Sequence, residues 1–412
     1  MGRVLPLLLV ACLAVLAAGH KSLEGYRVYR LQPITTEQFE WVRGMQHDPA
    51  LDFWSNSDVM VSPERQETFL DQLQREGIQW ETLVNDVQMT IDAEKMRQLM
   101  ASPDGMGRAI SFTKYNRYDE IQAYLQELAS SYPSIVTVGS LGTSSEGRAI
   151  PLIKISTGGN GNRPVVFVDA GIHAREWIAP AMALYIIQQL VENPSNADLI
   201  ANVDWHIVPL LNPDGYEYSQ TSYRLWRKTR SVTTRCTGSD TKNGVDANRN
   251  FDFHWMEVGA SSSPCSETYA GPRGFSEPET AALRDYVSSN RNIKLYLTFH
   301  SYGNYLLYPW GYTSTLPSDW RALDDLARKA NAAQVAAGGS SYAVGSSTNV
   351  LYAAAGGSDD WVKGVAGVDL SYTIELPGGG IYGFDLPASA ISRTVSTFWP
   401  AVRVYGEYIA AL

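Results

Sequence analysis

The sequence predicts an α/β fold: a large C-terminal domain whose sheet is covered by helices on both sides, preceded by a small N-terminal α+β open sandwich. Three observations carry this. Residues 164–170, PVVFVDA, are apolar with little alternation, the pattern of a strand buried on both faces. A long apolar helical stretch follows at 177–191, and strand-like and helical runs continue to alternate beyond it. Within residues 20–108, strand, helix, strand and helix succeed one another in a length suited to a small sandwich.

Taken in order, residues 1–19 read MGRVLPLLLVACLAVLAAG: one arginine, an apolar run from Val4 to Leu16, then small residues. This is the layout of a secretory signal peptide cleaved after Ala18 or Gly19. The run is shorter than the ~20 residues of a spanning helix, so a secreted, extracellular protein with no membrane attachment is expected. The sandwich opens with an alternating strand at 26–31, a helical stretch after Thr35 and a strand at 58–61. A helix at 63–74 follows, with Phe69, Leu70 and Leu73 spaced along it, then a strand at 88–91 and a short helix at 93–99. Residues 101–108, ASPDGMGR, read as an exposed linker ending in Arg108, the kind of segment that proteases cut.

From residue 109 the rhythm changes. A helix at 118–130 opens on Asp119 and Glu120 and closes near Pro133. Strands are expected at 135–141, 149–156, 164–170, 205–211, 294–299 and 370–374, and helices at 177–191 and 275–289. No internal repeat is visible.

The chain has 412 residues, 44% hydrophobic and 18% charged, which excludes a disordered tail, a collagen-like rod and a coiled coil. A net charge of -10 argues against a nucleic-acid partner, which needs a basic patch. Of three cysteines, Cys12 leaves with the signal; Cys236 and Cys265 remain, an even pair expected to form one disulfide in an oxidising compartment.

The chemistry begins where the buried strand ends. His173 and Glu176 stand at i and i+3 just beyond it, close enough to converge on one ion. Imidazole and carboxylate are both zinc donors, and a catalytic zinc site needs a third protein ligand. His300, at the end of the strand at 293–299, supplies it; His47, His206 and His254 lack such a setting. Such a site also needs a proton carrier, and Glu375, at a strand end before Pro377-Gly378-Gly379-Gly380, is the candidate. Arg227 or Arg249 suits a substrate carboxylate or a developing oxyanion, because a guanidinium grips such groups with a two-pronged bond.

These motifs stand in a telling order: His173-Ala174-Arg175-Glu176, Arg224-Leu225-Trp226-Arg227-Lys228-Thr229-Arg230, Asp246-Ala247-Asn248-Arg249-Asn250, Ser263 to Tyr269, Phe299-His300-Ser301-Tyr302, Gly356-Gly357-Ser358 and Ile374-Glu375-Leu376. Over nearly its whole length the chain resembles the secreted, digestive-type zinc carboxypeptidases of the A/B family. The resemblance implies a mixed central β-sheet flanked by helices in a catalytic domain at 109–412, and an inhibitory pro-segment at 20–108. It implies one Zn2+ held by His173, Glu176 and His300, with Glu375 as general base and Arg227 stabilising the oxyanion. Asn248 and Arg249 would clamp the substrate's terminal carboxylate, with Tyr352 closing over it; Arg175, Ser301 and Tyr302 would line the cleft further along the peptide. Cys236 and Cys265 match the family disulfide. The implied partners are peptides with a free C-terminal carboxylate and an activating trypsin-like protease, and a monomer is expected. One departure is the turn after the base, Glu375-Leu376-Pro377-Gly378 in place of the family's usual Glu-Leu-Arg-Asp.

The resulting expectation is a zymogen that removes one C-terminal residue from peptides; a non-catalytic peptide-binding module on the same fold is the rival class. The resemblance also implies that Asp359, two residues before Trp361, forms the floor of the pocket for the terminal side chain and so sets specificity. A carboxylate on the pocket floor favours terminal lysine or arginine, the B type, and the small Ser347 leaves room for a long side chain. The A type, for apolar and aromatic residues, is the alternative if Asp359 instead bonds to backbone in its glycine-rich loop.

Overall fold

The structure, a computed structural model, describes residues 21–46, 48, 50–100, 110–158, 163–232, 244–378 and 383–412. The signal segment, the linker at 101–108 and Cys236 lie outside the described residues. Among the described residues, no helix is long and apolar enough to cross a membrane.

The N-terminal unit is a sheet of β1 (Arg27–Gln32), β2 (Leu51–Phe53), β3 (Asp58–Val61) and β4 (Gln79–Val84), antiparallel throughout in the order β2-β3-β1-β4. Strand alternation gives it two working faces. Tyr29, Leu31, Val59 and Val61 pack with Val42 of the helix Thr36–Met45 and with Phe69 and Leu73 of the helix Pro63–Arg75. Val28, Met60 and Val84 point the other way and join Ala174, Tyr223, Leu225, Trp226 and Phe384 of the large domain in one apolar cluster. The sandwich is thus seated on the large domain by its second face.

One element departs from expectation. Residues 88–91 are not a strand; they lie in the helix Val87–Met100, and the strand that pairs with β1 is β4, upstream. Val87, Ile91 and Glu94 are buried at helical spacing. Asp86 caps the start, its Oδ1 accepting from the Gln88 and Met89 amides at 2.9 and 3.4 Å.

The large domain is built on β5 (Val136–Thr143), β6 (Ala149–Ile155), β7 (Val165–Ala170), β8 (Asp204–Val208), β9 (Ile293–Ser301), β10 (Tyr305–Tyr308), β11 (Ala343–Ser346) and β12 (Leu370–Leu376). Their order is β11-β10-β12-β9-β7-β8-β6-β5. The sheet is mixed: β8, β7, β9 and β12 run parallel at its centre, while β5, β6 and β10 supply antiparallel pairings. Every residue of β7 is buried, and its side chains alternate between two cores. Val166, Val168 and Ala170 meet the helices Tyr118–Ser131, Ile178–Val191 and Ala388–Ala410 on one side. Val165 and Phe167 meet Leu283, Val287 and Trp361, from the helices Pro278–Ser289 and Ser358–Gly364, on the other. The helix expected from 275 starts only at Pro278, because Phe275 has a φ of 52°, which no helix accommodates.

Candidate metal centre and cleft

The site forms at the carboxyl ends of three adjacent parallel strands. After β7 the chain turns at Gly171, whose φ of 70° favours glycine and where a Cβ would come within 2.8 Å of Leu210. The turn delivers His173 and Glu176. Next door, β9 carries His300, and β12 sets Glu375 in register beside it.

His173 Nδ1 lies 2.7 Å from Glu176 Oε1, and His300 Nδ1 lies 3.1 Å from Glu176 Oε2 and 3.2 Å from His173 Nδ1. The three donor atoms all fall within 4.8 Å of one another, and all three residues are buried. Two ring nitrogens facing each other across one carboxylate are mutually tolerable only with a cation or a proton between them. The electrostatics agree. Burial opposes a charged His300, yet the hydrogen bond and charge of Glu176, helped by Glu375 and Asp169, push it up to about 9. Burial lowers His173, with Arg227 adding to the effect. Two imidazoles and one carboxylate form a zinc donor set with room for a further ligand.

Around this centre the other side chains are held in place. His173 Nε2 lies 3.1 Å from Asp246 Oδ1, while Asp246 Oδ2 accepts from Arg227 Nε and Nη2 at 3.1 and 2.9 Å. Asp246 thus orients a ligand and anchors the oxyanion candidate at once. Its motif assigns Asp246 no role; its position two residues before Asn248 is the available signal. Among the described residues, Glu375 Oε2 has no hydrogen-bond partner. Burial and the nearby Glu176 charge push the Glu375 carboxyl up to about 7, against the attraction of His300 and Arg227.

A cavity of about 620 Å³ connects these groups to Arg249, Tyr352 and Asp359. Arg249 Nη2 donates to Tyr352 Oη at 3.3 Å, and Asn248 Oδ1 accepts from the Ser358 amide at 3.0 Å. Asp359 lines the cavity with its Oδ2 3.5 Å from Ser347 Oγ, and burial raises its carboxyl. Thr373 and backbone amides of its own loop also bond to Asp359; its neighbour Asp360 accepts from the Gly311 and Tyr312 amides at 2.9 and 3.1 Å. Ser301 and Tyr302 also line the cavity, and the Pro-Gly turn sits tightly on its rim, where a Cβ at Gly378 would lie 2.8 Å from Tyr302 Cγ.

The N-terminal unit closes the cleft. Trp54, Asn56 and Asp58 form part of the cavity wall. Arg175 does not open into it: Nη1 is paired with Asp52 at 2.8 Å and the side chain is buried. Tyr302 Oη donates to Asp58 Oδ2 at 3.3 Å, and Asn56 Nδ2 to the Leu351 carbonyl at 2.8 Å. On the other side of the interface, Glu94 grips Arg224 with two bonds, 2.5 Å to Nε and 3.0 Å to Nη2. Cys265 is disulfide-bonded.

A zinc-binding cleft at the strand ends of a mixed sheet, roofed by a separate small sandwich, defines a metallopeptidase with a built-in cover. Comparison with known proteins agrees. Residues 121–401 match the zinc carboxypeptidase family and residues 29–94 the carboxypeptidase activation peptide. The chain is 50% identical over 302 residues to carboxypeptidase B of Astacus astacus, covering 73% of this chain and 98% of that protein. It is 35% identical over 421 residues to carboxypeptidase A2 of Rattus norvegicus, covering 98% of both. The crystal structure of carboxypeptidase A from Helicoverpa armigera superposes with a TM-score of 0.90 at 34% identity, over 95% of this chain and 99% of that one. The chain belongs to the zinc carboxypeptidase family and carries that family's activation peptide, so it is a metallocarboxypeptidase made as a zymogen.

Proposed function

We propose that this zymogen yields an exopeptidase that releases single C-terminal lysine or arginine residues from peptides. His173, Glu176 and His300 would hold the zinc ion, which would supply Lewis-acid chemistry to the attacking water and the scissile carbonyl. Glu375 takes the water's proton and returns it to the leaving amine, a role suited to a carboxyl poised near neutrality. Arg227, locked to Asp246, faces the developing oxyanion. Arg249 and Asn248, with Tyr352 beside them, hold the terminal carboxylate, which restricts the enzyme to chain ends. Arg175, Ser301 and Tyr302 bind upstream residues once the cover leaves. We assign residues 20–108 to the activation segment and 109–412 to the catalytic domain. The signal at 1–19 directs secretion, and a trypsin-like protease cuts after Arg108.

The observation carrying the B-type preference is Asp359, buried in the cavity wall beside Ser347. A buried carboxylate without a cation is unfavourable, and lysine or arginine supplies one. The test is kcat/KM for peptides ending in Arg, Lys, Phe and Leu, in wild type and Asp359→Ile. Removing one partner of a buried charge pair should lower kcat/KM for Arg by ~100-fold or more. A wild type that prefers Phe or Leu, with no change in the variant, establishes the A-type alternative instead.

A further inference from the structure

His173 and His300 are both expected to meet the metal through Nδ1, and each therefore needs something to settle its other nitrogen. For His173 that group is Asp246. For His300 the arrangement is less direct. Its Nε2 lies 3.3 Å from Thr298 Oγ1, and Thr298 Oγ1 in turn lies 2.8 Å from Asp169 Oδ1. Thr298 and His300 stand two apart on β9 and so share a face of the sheet. Asp169 is the register partner of Thr298 on β7, the strand that leads into His173 and Glu176. All three are buried, with no more than 1% exposure.

We infer that Thr298 and Asp169 are positioning residues that fix the tautomer and ring orientation of His300 for metal binding. A hydroxyl has one proton to give, and a carboxylate only accepts. The shorter bond, to a charged acceptor, takes the threonine proton. Thr298 can then only accept from the ring, which places a hydrogen on His300 Nε2 and leaves the Nδ1 lone pair facing Glu176. A strand-to-strand relay thus ties the third ligand to the strand that delivers the first two. No step of peptide hydrolysis passes through either residue.

The inference rests on the metal-site reading above, and its test separates the two. Zinc affinity of the activated enzyme is measured by chelator competition, and the Co2+-substituted form by its visible absorption. Thr298→Val should bind zinc about 10–100-fold more weakly and shift the cobalt spectrum, whereas Thr298→Ser, which keeps the hydroxyl, should match wild type. If Thr298→Val does not fold, Asp169→Asn replaces the fixed acceptor at equal volume and should still weaken zinc binding. Wild type that fails to hold zinc overturns the metal reading. Wild type that holds zinc, with the variants unchanged in affinity and spectrum, overturns the relay alone.

Discussion

Replacing Glu94 by glutamine should loosen the cover without touching the catalytic domain. Glu94 and Arg224 form a buried two-pronged pair, with side chains 3% and 4% exposed. Breaking a buried pair from one side costs about 3–5 kcal/mol, because the remaining charge is stranded. Here part of that is offset. Arg224 keeps the carbonyls of Arg175 and Phe384, at 2.9 and 2.8 Å, and its stack on Trp177, 3.5 Å from the ring centre. Asp385 also stands by: neither of its oxygens has a hydrogen-bond partner among the described residues, and burial and the Glu94 charge push it up to about 8 against the pull of Arg224. With Glu94 neutral, Asp385 can ionise and share Arg224. A net loss of about 2–3 kcal/mol then corresponds to roughly 30- to 150-fold more of the open state. The assay is basal hydrolysis of a short peptide by uncut precursor, with Arg108→Gln present to block cleavage. Basal activity should rise by that factor, while the separated catalytic domain is unaffected. Unchanged basal activity and an unchanged thermal midpoint would refute the reasoning.

Two further outcomes follow from the site and the core. Glu375→Gln should retain stoichiometric zinc yet lose ~100-fold or more in kcat, because the donors stay while the proton carrier goes; metal analysis beside steady-state kinetics checks it, and full turnover would remove Glu375 from the mechanism. Burial, with the Glu277 charge, raises Glu279 to about 7 despite its bonds from Ser145. A carboxyl raised on folding adds stability that is complete below its unfolded value of about 4.5 and is lost as pH climbs through 7. The stability of wild type relative to Glu279→Gln should therefore fall by about 3 kcal/mol between pH 4.5 and 8, read from urea unfolding at each pH; a pH-independent difference contradicts it.

What the sequence disclosed follows from which signals are local. The strand PVVFVDA was legible because burial on both faces removes alternation, and the residues after it were legible because a strand end in an α/β sheet is where ligands sit. His300 could be picked out by the same rule, and Glu375, the proton-carrier candidate, stands in register beside it although β12 runs one residue beyond it. The start of the helix Val87–Met100 is hard to tell from a strand because Val87 to Ile91 is short, and its distinguishing marks are the Asp86 cap and the helical spacing of Val87, Ile91 and Glu94. Asp246, Thr298 and Asp169 stayed hidden for another reason. The contacts of Asp246 with His173 and of Thr298 with Asp169 join residues 73 and 129 positions apart, which no local pattern encodes. The pairing of Asp52 with Arg175 and Glu94 with Arg224 was equally out of reach, since it depends on how one unit is seated on the other.

Among the described residues the contacts that hold the cover are noncovalent, and its backbone continues into the large domain between Met100 and Ile110. While that backbone is intact, cover and cleft meet at the high effective concentration of a short tether, on the order of millimolar. Once it is cut, the same contacts make the cover an ordinary reversible ligand, whose occupancy depends on how much protein is present. Severing the chain and uncovering the cleft are therefore separate events: the first is set by the protease, the second by dilution.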